Sequence, residues 1–301
     1  MNINKMESIL LKISSDVSLH ARISRPSTEN EKPLLVLLHY WGGSSSTWHK
    51  LTSPGSPTSL DTTYPILAFD LRGWGQSMGP SEEHGTAYSI TAMASDVAFA
   101  LEKLKQDAST NHLLNHGFIF VGHSMGAKVA LATLSTLNEN LLRELKGLVL
   151  VAPAPPTALS LPPEMKEQQK VAYETEESVR WTVKNVLANT KNLSEDDIEL
   201  VVHDSLSGSN LAKKAWPTYG MAEDVSGSVR RALGIIGHAG IRASVLVGEL
   251  DVVEPRERVE AEVCRILEES GVKTSLKVVE SVKHLIPLEC PQMIYEEISL
   301  Y

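Results

Sequence analysis

A serine performs acyl transfer only when a base takes its proton, an acid holds that base, and hydrogen-bond donors receive the developing oxyanion. The chain presents two serines in the Gly-x-Ser-x-Gly setting that exposes a hydroxyl on a sharp turn: Ser124 in "GHSMG" and Ser77 in "GQSMG". With 19 glycines in 301 residues this pattern recurs readily by chance, so the surroundings decide. Ser124 follows "GFIFV", a β-branched and aromatic run that reads as a buried strand, and precedes "AKVALATL", which has no breaker and good helix formers. Ser77 lies in "LRGWGQSMGPSEEHG", where glycines and Pro80 punctuate a polar loop.

The partners of such a serine must stand at strand ends, because ligands of an open parallel sheet bind beyond the carboxyl ends of its strands. "SVLVGELDVVEP" puts Asp251 just past a strand, and "SLKVVESVKHLIPLECP" puts His284 just past the last one. Glu249 competes with Asp251, but the turn after the strand aims a side chain at the histidine better than the strand's edge does. His39 and His123 precede candidate site residues and read as structural; His112, His116 and His203 read as surface or satisfied residues.

Those positions require a particular scaffold. "SILLKIS" and "SLHARIS" form an opening hairpin, and "LLVLLH", "ILAFD", "FIFVG", "LVLVA", "SVLVG" and "SLKVVE" are the remaining strands. Ile90, Met93, Val97, Leu101 and Leu104 recur at helical spacing, as do Val259, Val263 and Leu267 and the segment from Pro291 to Leu300. Apolar strands alternating with helices predict an α/β fold, a mostly parallel central sheet flanked by helices. From Pro153 to about Gly240 the alternation stops in favour of helical patterns, entered through the proline-rich "APAPPTALSLPPE". This predicts a core domain of residues 1–152 and 241–301 and a helical cap inserted over residues 153–240.

Composition narrows the chemistry. The chain is 42% apolar and 22% charged, an ordinary globular balance, and its net charge of -9 argues against a nucleic-acid partner. "SEDDIE" has no His or Cys at ligand spacing, so no metal and no cofactor is expected. Cys264 and Cys290 read as isolated thiols. No apolar run suits a signal peptide or a membrane span, so a cytoplasmic protein is expected.

From about Leu34 to Pro291 the chain resembles the α/β-hydrolase family, in its esterase branch. "GHSMG" resembles the nucleophile elbow, "GELD" the acid turn, "KHLIPLECP" the histidine turn, and "DLRGWGQS" the loop after the fourth strand. The resemblance implies Ser124, Asp251 and His284 as a catalytic triad. It assigns Asp70, Arg72 and Ser77 to structural hydrogen bonding. A serine, where the dehalogenase and epoxide-hydrolase branches carry aspartate, implies ester-type acyl chemistry. "LLHYWGGSSSTW" resembles the oxyanion loop and implies the backbone N–H groups of Trp41 and Met125 as oxyanion donors; Tyr40 stands where the family usually has glycine, and Gly42 and Gly43 are placed to absorb the difference.

The expected partner is a small ester-type substrate, with Tyr40, Trp41, Trp181, Trp216, Tyr219 and Met221 as pocket residues. Aromatic residues in a helical cap serve its own core equally often. Thioesterases, lactonases and carbon–carbon bond hydrolases use the same framework, and a ligand receptor retaining the triad with slow or no turnover is the rival of another class.

Overall fold

The computed structural model describes residues 6–26, 31–82, 85–236 and 240–301. Its framework is one sheet of β1 (Glu7–Lys12), β2 (Ser18–Ser24), β3 (Leu34–Leu38), β4 (Ile66–Phe69), β5 (Phe118–His123), β6 (Leu145–Val151), β7 (Arg242–Gly248) and β8 (Lys273–Val279), in the order β1-β2-β4-β3-β5-β6-β7-β8. β1 and β2 pair as the expected antiparallel hairpin, and β2 joins β4 antiparallel. From β4 across to β8 every pairing is parallel.

Alternation along the central strands divides the core in two, because successive side chains leave opposite faces of a sheet. Leu34, Val36 and Leu38 join Phe118 and Phe120 in one cluster, which also takes Ile90, Met93, Val97 and Leu101 from the helix Ile90–Gln106. Leu35 and Leu37 join Ile119, Val121, Val149 and Val151 in the other, covered by Ile294 and Ile298 of the helix Pro291–Ile298. Burial on both faces is why these strands read as continuous apolar runs. Ser89 caps the first of these helices by accepting from the Ala92 N–H. The helical pattern of Val259, Val263 and Leu267 also holds, with one π-helical turn over Glu260–Cys264.

Between β6 and β7 the described residues form helices and no strand, including Pro163–Val171, Glu176–Thr182, Glu195–Ser207, Asn210–Ala215 and Ser226–Ile236. Thr175 and Ser194 each close a capping box, so these short helices carry their own start signals. The inserted helical region reaches the loops at the carboxyl ends of β3 and β8: the Trp41 carbonyl receives the Tyr173 hydroxyl, and the Trp41 indole N–H and the His284 main-chain N–H donate to carbonyls of the insertion. The expected end of the insertion adjoins residues 237–239, which lie outside the described ones.

Candidate active site

Ser124 stands between β5 and the helix Met125–Leu134 with φ 52° and ψ −115°, a conformation that costs a residue with a Cβ about 1–3 kcal/mol. Neighbouring hydrogen bonds hold it there: the Ser124 N–H donates to the Val151 carbonyl at 2.9 Å, and the Ser124 carbonyl receives the Ala127 N–H at 2.9 Å. The flanking glycines let the turn close. A Cβ at Gly126 would come within 2.3 Å of the Leu38 carbonyl oxygen, and one at Gly122 within 2.6 Å of the Ala127 Cα.

His284 follows β8 and shares a hydrogen bond of 2.8 Å between its Nδ1 and Asp251 Oδ2. Asp251 is itself fixed, since its Oδ1 receives the N–H groups of Val253 at 2.8 Å and Glu254 at 3.1 Å. Burial disfavours a charged imidazole at His284, but the Asp251 carboxylate, with Glu254 and Glu289 behind it, offsets this and holds the pKa above its ordinary value. Glu249 goes elsewhere: it is exposed, and its carboxylate receives the Ser281 N–H.

The loop after β3, expected to serve an oxyanion, has room for Tyr40. The chain turns from Tyr40 to Gly43, whose N–H donates to the Tyr40 carbonyl at 3.0 Å. The left-handed conformation falls on Gly42, at φ 100°, and Tyr40 is not among the residues with positive φ. A tyrosine is therefore accommodated without backbone strain. Leu71 donates its N–H to His39 Nε2 at 2.9 Å, which leaves the proton on Nδ1 to donate to the Tyr40 carbonyl at 2.7 Å. Burial lowers the His39 pKa to about 4 and keeps that tautomer neutral. The same peptide unit carries the Trp41 N–H, so His39 sets its direction. Among the described residues the main-chain N–H groups of Trp41 and Met125 have no hydrogen-bond partner, and Met125 opens a helix whose dipole favours negative charge.

Ser124 and His284 share the wall of a cavity of about 450 Å³ with Tyr40, Trp41 and Trp216, and with aliphatic neighbours such as Leu159, Val186 and Leu187. Three expected pocket residues lie elsewhere. Trp181 is 49% exposed and lines a separate groove of about 360 Å³ between the helices Pro163–Val171 and Glu176–Thr182. Tyr219 accepts the Tyr88 N–H, and the Met221 carbonyl receives the buried Lys128 ammonium, so both seat the insertion on the core. Spacing along a short helix does not reveal which face meets the cavity.

Two residues escaped sequence reasoning. Glu254, only 1% exposed, lies on the cavity wall, where burial chiefly, with Asp251 adding, raises its carboxyl to about 8 against the pull of His284 and Arg258. Lys128 is a buried residue of the helix Met125–Leu134; burial brings its pKa down to about 8, and it donates to the Thr157 and Met221 carbonyls. Apart from Glu254's place three residues after Asp251, no local signal marks them.

Other groupings of the same residue types are structural in geometry. Ser77 Oγ donates to the Asp70 carbonyl at 2.6 Å and accepts the His20 N–H at 2.8 Å. Asp70 also receives the Ser45 and Gln76 N–H groups, and Arg72 pairs with Asp96. His123 donates to the His284 carbonyl. His49 lies 3.5 Å from Asp197, but its Nδ1 faces the Ser46 carbonyl, Asp197 is engaged by Lys50 and Ser194, and Ser44 and Ser46 donate to Asp204. Among the described residues no serine hydroxyl meets that imidazole. Among the described residues no cluster of His, Cys, Asp or Glu suits a metal ion, and no helix is long and apolar enough to cross a membrane.

Residues 35–297 match the alpha/beta hydrolase family, a span that takes in the parallel strands from β3 to β8 and the insertion but not the opening hairpin. The chain belongs to that family. Among solved structures this α/β hydrolase is similar to a bromoperoxidase from Bacillus anthracis, with a TM-score of 0.76 at 17% identity, covering 98% of this chain and 99% of that one. It is also similar to an esterase from Exiguobacterium antarcticum (TM-score 0.73, 19% identity, 98% and 99% covered) and to a thermophilic esterase from Thermogutta terrifontis (TM-score 0.68, 22% identity, 98% and 97% covered). At these identities the likeness is one of fold. "Probable lysophospholipase BODYGUARD 1" of Arabidopsis thaliana is 29% identical over 140 residues, a stretch that spans 46% of this hydrolase and 27% of that protein.

Proposed function

We propose that this α/β hydrolase is a serine hydrolase that cleaves a carboxylic ester or related acyl bond of a small, largely apolar substrate, through an acyl-enzyme on Ser124. One observation carries the reading: a serine held in a strained turn and a histidine oriented by a buried aspartate line one cavity, beside two main-chain N–H groups with no partner among the described residues. Strain of this kind persists only where the surroundings impose it.

In this mechanism Ser124 Oγ bonds to the substrate's carbonyl carbon while its proton passes to His284 Nε2. Asp251 holds the imidazole in the tautomer with the proton on Nδ1 and stabilises the imidazolium. The Trp41 and Met125 N–H groups receive the oxyanion. Collapse of the tetrahedral intermediate breaks the bond to the leaving group, which departs with the proton from His284. Water then attacks the acyl carbon with His284 again as base, releasing the acid and the free serine. Residues 153–240 act as a cap domain over a core of residues 1–152 and 241–301. The two unpaired thiols, Cys264 and Cys290, suit a reducing cytoplasmic compartment.

The test is turnover of nitrophenyl esters, thioesters and lactones of graded size beside a Ser124→Ala control. Steady release far beyond one equivalent, lost in the control, is the expected result. A single-equivalent burst with no steady rate on every substrate contradicts it and indicates a receptor.

A further inference from the structure

Three consecutive carbonyls of the oxyanion loop are hydrogen-bonded, and by different parts of the chain. The Tyr40 carbonyl is held from the core by His39. The next two are held from the insertion: Tyr173 Oη donates to the Trp41 carbonyl at 3.0 Å, and Ser205 Oγ donates to the Gly42 carbonyl at 2.9 Å. Tyr173 and Ser205 are both buried. The Trp41 side chain is caught from the same side, its indole N–H donating to the Lys213 carbonyl at 3.1 Å and its ring lying 4.2 Å from that of Tyr173. Further along, Ser44 and Ser46 each donate to Asp204 Oδ2 at 2.7 Å. The histidine loop is held similarly, because the Leu187 carbonyl receives the N–H groups of His284 at 2.9 Å and Leu285 at 3.1 Å.

A main-chain donor is useful to an oxyanion only if its peptide plane is fixed before the charge appears. His39 orients the plane that carries the Trp41 N–H, but that plane turns about the same Cα whose carbonyl Tyr173 holds. The space leaves little alternative: a Cβ at Gly42 would come within 2.5 Å of the Tyr173 ring. We infer that the inserted helices brace the oxyanion loop as well as covering the cavity, with Tyr173 and Ser205 as positioning residues for the Trp41 N–H. The inference rests on the hydrolase reading above for its kinetic consequence and on geometry alone for the brace.

Tyr173→Phe keeps the ring against Trp41 and removes only the donor, and Ser205→Ala does the same at Gly42. Each variant should lower kcat about tenfold, a fraction of the loss from deleting an oxyanion donor outright, with KM changed less than about twofold. The inhibition constant of a trifluoromethyl ketone, which mimics the tetrahedral oxyanion, should rise by the factor that kcat/KM falls. Unchanged kcat, or a lower kcat with undiminished affinity for the ketone, overturns the positioning role. Hydrogen–deuterium exchange of the peptide covering residues 39–48 reads the brace without turnover. The double variant should exchange faster there than wild type while β5 and β6 are unaltered, and equal rates sink the brace. A wild type inactive on every ester but showing this exchange difference would refute the hydrolase reading and leave the brace standing.

Discussion

The two stretches "GHSMG" and "GQSMG" differ by a single residue, His123 against Gln76, yet they occupy opposite extremes of structure. At Ser124 the backbone is forced to positive φ between a strand and a helix, and the hydroxyl has no cap to make in its own helix. At Ser77 the hydroxyl is consumed by the Asp70 carbonyl just past β4 and by the His20 N–H of β2. The difference lies in what the surrounding backbone already satisfies: one serine bridges two main-chain groups, and the other lines a cavity together with a histidine. A five-residue pattern carries chemistry only through the elements on either side.

The sharpest way to break this comparison is to remove each hydroxyl. Ser124→Ala should lower kcat by about 10⁴-fold or more with the fold intact. Ser77→Ala should keep turnover and instead lose about 1–2 kcal/mol of stability, since it strands a buried carbonyl and N–H. Urea melts and ester kinetics on both variants check this, and the reverse pattern would exchange the two roles.

Next in size are the partners. Asp251→Asn and His284→Ala should each cost about 10³- to 10⁴-fold in kcat, with losses that do not multiply with that of Ser124→Ala, because the triad acts as one unit. Glu249→Gln should change kcat little, its carboxylate being on Ser281 and not on the histidine. Steady-state kinetics showing Glu249→Gln inactive and Asp251→Asn active would move the acid.

Acidity offers a finer cut. His284 must be neutral to accept the serine proton, and its pKa is raised, so kcat/KM should rise with pH through an inflection above the ordinary histidine value. In Asp251→Asn the raising charge is gone and the residual activity should inflect at lower pH; an unmoved inflection would detach the aspartate from the histidine.

The smallest effect belongs to Glu254. Its folded pKa of about 8 lies above the ordinary 4.5, so between those values the folded state holds more protons than the unfolded chain, and stability falls as pH rises. Glu254→Gln should therefore be more stable than wild type at pH 8 by on the order of 1 kcal/mol, with the gap closing by pH 4.5. Thermal melts that show no pH-dependent gap would mean that the carboxyl ionises freely on the cavity wall.

The sheet was legible because its signals are local. "LLVLL" and "FIFVGH" are buried on both faces and declare themselves in a few residues; Ser124 and Asp251 were legible because each follows such a run, and His284 because it follows the last strand, although that strand is largely exposed. The insertion's role was hidden because its contacts join positions far apart in the chain: Trp41 to Tyr173, Gly42 to Ser205, and His284 to Leu187. Side-chain donors to main-chain carbonyls leave no periodicity to read. Trp181 shows the same limit from the other side, since its bulk suggested a pocket and its helix turned it into a groove on the surface.

The central claim, that Ser124 is the nucleophile, is tested most directly by a fluorophosphonate probe followed by peptide mapping. Phosphorus bonds to the activated serine with loss of fluoride, so the label should be found on the peptide containing Ser124 and should vanish in both Ser124→Ala and His284→Ala. A label on the peptide containing Ser77, or on the one containing Ser44 and Ser46, would contradict the account.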